Sequence, residues 1–122
     1  MRRVRFDAPV GHHITAFNSQ HVTITGIQRI SSSAQIGCLW IGAGGVVGYH
    51  EATTAQLFLV TAGEGWATGA DRVRQPISVG HGVFWEQGEW HESGSDSGMT
   101  VIVVEGDDLR PDQVMHAESP AD

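Results

Sequence analysis

A chain of 122 residues is long enough for one domain and short for two ordinary ones. With 40% apolar and 17% charged residues it can bury a core, which excludes global disorder. Its net charge of −7, with arginine as the sole basic residue type, excludes the basic surface that nucleic acid or an anionic membrane requires.

The chain opens on a basic cluster, Arg2, Arg3 and Arg5, which reads as a solvated edge strand kept from aggregating by its charges. Polar Gly11, His12, His13 and Asn18 stand where the apolar segment of a signal peptide would be. Val22 to Ile30 begins as an alternating strand and meets Gly26, a bend or bulge. Ser31, Ser32 and Ser33 predict a turn, Ile36 to Ile41 a strand, and Gly42, Gly44, Gly45 and Gly48 a flexible turn region. Gln56 to Thr61 is the next strand, closed by a Gly63-Glu64-Gly65 turn. A hairpin joins Trp66 to Thr68 with Arg72 to Ile77 around Gly69-Ala70-Asp71. Val83 to Glu86 is short, and Met99 to Glu105 is apolar and β-branched enough to be buried on both faces. Beyond Gly106, residues 107–122 carry five acidic residues, one arginine and two prolines; they read as an acidic tail with one helical turn around Asp112 to Met115. Residues 1–106 therefore form the single domain, an all-β sandwich, jelly roll or small barrel.

Cys38 is the sole cysteine, so no intrachain disulfide can form; this agrees with a reducing, cytoplasmic setting. No apolar run reaches the roughly 18 residues a membrane span needs.

Two spacings carry a resemblance. Gly44, five residues, His50, one residue, Ala52, three residues, Gln56, six residues, Gly63 resembles the first cupin motif. Gly80, five residues, Glu86, then Gly88 and His91 resembles the second. The cupin pattern has a second histidine where Ala52 stands, glutamate at Gln56, proline at Glu86 and usually aspartate at His81. The resemblance implies an all-β, cupin-type double-stranded β-helix, or jelly-roll barrel. It also implies a homodimer, paired through an edge strand or by exchange of the N-terminal strand, with Arg2 to Phe6 as the candidate element.

Carried over by position, His50, Gln56 and His91 are the metal-ligand candidates, and zinc, nickel, iron or manganese are the metals the motif suggests. Two imidazoles and a neutral amide bring no carboxylate to offset a divalent charge, so such a site holds metal weakly. Without metal the same three residues make a polar floor for a small organic ligand. Alternation turns Gln56, Phe58 and Val60 inward and Leu57 and Leu59 outward. Phe58 and Trp40 join the ligand-binding candidates, with Trp66, Trp85 and Trp90 as further aromatic candidates for the mouth or core. Glu51 and Glu92 point away from the cup unless a bulge turns one inward. Two function classes stay open: a small-molecule-binding cupin, or a cupin enzyme. The enzyme would be a metal-dependent dioxygenase, or a metal-free isomerase or cyclase using histidine as acid and base.

Overall fold

A computed structural model describes residues 1–30 and 32–111 and the backbone strand His116–Glu118. The strands are β1 (Arg2–Arg5), β2 (His12–His13), β3 (Thr23–Ile24), β4 (Ala34–Ile41), β5 (Gly45–Glu51) and β6 (Ala55–Thr68). They continue with β7 (Gln75–Ser78), β8 (His81–Trp85), β9 (Trp90–Ser95), β10 (Met99–Gly106) and β11 (His116–Glu118). Six strands form one layer in the order β11-β1-β8-β6-β10-β4. The second half of β6 leaves that layer and pairs with β7 and β9, and β9 pairs with β5. All these pairings are antiparallel, as expected of short strands alternating with glycine turns.

The long β6 is the hinge of the architecture. Gly63 has φ +74, a backbone conformation that favours glycine, and a Cβ there would strike the carbonyl oxygen of Gly98. The Gly63-Glu64-Gly65 segment is thus a bend within one strand, not the turn that its glycines suggested. Gly45 to Gly48 likewise lies within β5; its register against β9 supplies the hydrogen-bonding partners that composition could not reveal. The hairpin of β6 and β7 forms, with Trp66 opposite Pro76, but its second strand is Gln75–Ser78 and residues 72–74 belong to the connection.

Alternation sorts the apolar residues into two cores. Phe58, Val60, Val83, Trp85, Val101 and Val103 fill the space between the layers. Leu57, Leu59, Phe84 and Val104 face the other side of the six-stranded layer, where Phe6, Ile27 and Leu109 cover them. The cover explains the N-terminal third: of Val22 to Ile30 only Thr23–Ile24 is strand, and the chain crosses over the sheet instead of joining it. There Thr25 Oγ1 donates to the Phe6 carbonyl at 2.6 Å. Leu109 is 1% exposed, so the segment after Gly106 begins as part of the core. The helical turn expected around Asp112 to Met115 lies outside the described residues. β1 is not an edge: it pairs with β8 on one side and β11 on the other. The layer ends at β11 on one side and at β4 on the other, and β4 pairs with β10 alone among the described residues. No described helix is long and apolar enough to cross a membrane.

Candidate functional site

A cavity of about 300 Å³ opens between the layers, lined from both of them. From the six-stranded layer come Gln35, Gly37 and Leu39 of β4, Gln56 and Phe58 of β6, Trp85 of β8, and Val103 and Glu105 of β10. From the other layer come Val47 and His50 of β5 and His91 and Ser93 of β9. The size is at the lower end of the roughly 300–1,000 Å³ usual for small-molecule clefts.

His50 reaches this cavity because of a bulge. Val47 lies opposite Ser93 and His50 opposite His91, so β5 spends three steps where β9 spends two. Strict alternation from Val47 would turn His50 outward; the extra residue reverses the parity and brings both side chains to one face. Tyr49 is left outside, where its ring lies 5.3 Å from that of Trp90 and beneath the Arg72 guanidinium at 4.4 Å. Trp90 and His91 face opposite sides, as their adjacency in a strand requires.

The two imidazoles are neighbours, with ring centroids 4.3 Å apart. His91 is 3% exposed and stacks on the fully buried Trp85 at 4.1 Å. Its Nδ1 lies 3.2 Å from the Glu89 carbonyl oxygen, and His50 Nδ1 lies 2.6 Å from that of Gly48. A carbonyl only accepts, so in each neutral ring Nδ1 carries the proton and Nε2 keeps the lone pair. Burial pushes the His91 pKa below its ordinary value and the nearby His50 lowers it further; the Glu89 carbonyl and the Glu89 charge oppose the shift. His91 is therefore a neutral base at neutral pH.

Gln56 is 8% exposed and makes no hydrogen bond to either histidine or to any other described residue. Its amide is addressed to the cavity. Phe58 lines the cavity and meets Trp85 edge-on at 5.4 Å. Trp40 does not join them: it is 80% exposed on the outer side of β4 and lies outside the cavity lining. Ala52, where the motif places a second imidazole, is 1% exposed; its backbone N–H donates to Glu89 and its carbonyl accepts from Gly88. Glu51 is exposed, and Glu92 lies 3.6 Å from Arg72, away from the cavity. Glu86 sits in a turn 3.4 Å from Arg2, a contact between two exposed side chains.

Sequence reading missed Gln35, Val47, Ser93 and Glu105 as lining residues. The signal for Glu105 was present. Val101, Val103 and Glu105 alternate, and treating β10 as buried on both faces hid the question of which face the carboxylate takes.

The donor set does not fit a tightly held divalent metal. The two imidazoles meet each other, the amide of Gln56 only shares their cavity, and no group of three or more His, Cys, Asp or Glu among the described residues could hold an ion. What the arrangement can do is accept hydrogen bonds from a ligand, stack against it, and exchange a proton through Nε2 of His91.

No family model and no curated protein matches the chain. Solved structures do. A cupin superfamily protein from Desulfitobacterium hafniense superposes with a TM-score of 0.58 at 18% identity, over 66% of this chain and 72% of the other. An RmlC-like cupin family protein with a double-stranded β-helix fold from Methanocaldococcus jannaschii gives 0.57 at 14% identity, over 85% and 93%. A predicted oxalate decarboxylase from Thermotoga maritima gives 0.52 at 21% identity, over 57% and 62%. The two layers and the strand shared between them agree with these likenesses: the chain has the cupin fold, a double-stranded β-helix closed as a jelly-roll barrel.

Proposed function

We propose that this protein binds a small organic molecule within the barrel and does so without a resident metal. The observation that carries the reading is the cavity between the layers, where apolar Val47, Phe58 and Val103 are flanked by the His50–His91 pair and by the unbonded amide of Gln56. Apolar walls supply affinity by desolvation, and the few polar groups set orientation. The metal-dependent dioxygenase expected from the motif has less support than metal-free binding, because no carboxylate joins the imidazoles. The setting we propose is the cytoplasm, where an exposed, unpaired Cys38 stays reduced.

A ligand screen by thermal shift tests the reading when repeated on Gly37→Leu. A Cβ at Gly37 meets nothing within 4 Å, so the leucine extends into free space at the cavity lining without disturbing β4. Compounds that raise the melting temperature of the parent protein should lose that effect in the variant. Equal shifts in both proteins would place binding elsewhere and reject the cavity.

One observation favours a catalytic second reading. His91 is neutral, buried on Trp85 and beside a second imidazole, a setting suited to moving a proton in an isomerase or cyclase. Exchange of carbon-bound hydrogen for deuterium in a bound ligand, lost in His91→Asn while binding persists, is its expected signature.

A further inference from the structure

The cavity has a polar end to which the cupin motifs contribute only Gln56. Glu105 of β10 lies directly opposite Gln35 of β4 on one side and Gln56 of β6 on the other. Directly paired residues of antiparallel strands share a face, with Cβ atoms roughly 4.5–5.5 Å apart. The three side chains therefore form one rung across β4, β10 and β6, and all three line the cavity. The next rung on the same face is Gly37, Val103 and Phe58, which is apolar.

None of the three polar side chains has a hydrogen-bond or ion-pair partner among the described residues. Gln56 is 8% exposed and its amide atoms are not sealed from the cavity, so whatever fills the cavity is their hydrogen-bond partner. No arginine lines the cavity, the chain contains no lysine, and His91 is held neutral. Glu105, half-buried, is thus the one carboxylate of the lining, with no arginine or lysine among the lining residues. It does not converge with the imidazoles into a metal site.

Resting on the small-molecule reading above, we infer that the ligand is a small organic amine bound as its ammonium ion, held at the Gln35–Glu105–Gln56 rung. A primary ammonium has three N–H donors and no acceptor. The rung offers a carboxylate and two amide oxygens, all acceptors. The carboxylate supplies the charge-assisted bond. The apolar body of the ligand then lies along Phe58, Val103 and Val47 toward the imidazoles. An organic anion would meet Glu105 and find no arginine or lysine in the lining, so organic acids are selected against.

The test uses three probes of one shape, benzylamine, benzyl alcohol and benzoate, titrated at neutral pH and followed by calorimetry and by nuclear magnetic resonance of the imidazole protons. Benzylamine should bind most tightly and benzoate most weakly. Glu105→Gln keeps the size and hydrogen bonding of the side chain; it should lower benzylamine affinity about tenfold or more and leave benzyl alcohol unchanged. Benzoate binding as tightly as benzylamine, or unaltered benzylamine affinity in Glu105→Gln, overturns the inference. If all three bind alike and Gly37→Leu abolishes them all, the cavity reading survives and the amine inference falls. If none binds up to about 10 mM, both fall.

Discussion

At the residue scale the decisive side chain is His91. Burial against Trp85 favours its neutral form, so its pKa is lower in the folded chain than the usual value of about 6.5. The unfolded chain then binds more protons between the two values, and stability rises with pH through that window. Above the unfolded value the contribution is complete; it is lost as pH falls below about 6.5 toward the folded value. Chemical denaturation of the parent protein should show a midpoint that falls on acidification from neutrality, and His91→Gln should flatten that fall. An identical slope in the variant would show that His91 is not the group responsible. Ser95 makes a second residue-scale case. It is 1% exposed, its Oγ donates to the Glu64 carbonyl at 2.5 Å, and it accepts from the Gly98 N–H at 2.8 Å. Ser95→Ala strands both backbone groups and should cost about 1–3 kcal/mol in denaturant unfolding, without changing ligand binding in the cavity.

At the scale of elements, β6 joins the two layers and its bend depends on one position. Gly63 combines a positive φ with backbone too close for any side chain. Gly63→Ala should lower stability by about 1–3 kcal/mol, read as a lower denaturation midpoint with the same m-value. An unchanged midpoint would mean that the strand bends elsewhere. The same region shows how far sequence reading reaches. Inward-facing Gln56, Phe58 and Val60 and outward-facing Leu57 and Leu59 follow from a period of two, and the structure divides them that way. The strand character of β5 was hidden by its glycines, and its bulge could not be seen at all, because a bulge is a property of a strand pair. The placement of His50 inside the cavity rested on a motif resemblance; local alternation from Val47 argues the opposite.

At the scale of the whole molecule, β4 is an unprotected strand edge. β4 has no neighbour on its outer edge among the described residues, contains no charge and no proline, and presents Ile36 and Trp40 at 64% and 80% exposure. Open strand edges of this kind pair with other chains unless charge or proline protects them. The homodimer that the resemblance implies would find an open edge at β4, whereas both edges of the N-terminal strand are paired within the chain. Sedimentation at micromolar concentration should show a dimer, and Ile36→Lys combined with Trp40→Lys should convert it to a folded monomer. A monomeric parent protein would reject the interface. A dimer formed there would cover Trp40, which lies outside the cavity lining.

Taken by itself, the sequence determined the fold class, the two motif segments, the inward face of the first half of β6 and the lack of a second motif imidazole. Each of these is local: a spacing, a period or a residue type at a position, all readable along one strand. Tertiary structure alone decided that His50 and His91 touch, that Gln35, Glu105 and Gln56 form a rung, that the glycines at 63 and 65 bend a strand instead of ending it, and that Leu109 belongs to the core. These depend on which strands lie side by side and in what register. Pairing between segments as far apart as Arg2 and Phe84 is chosen by the burial of the whole core, a quantity that no single segment carries.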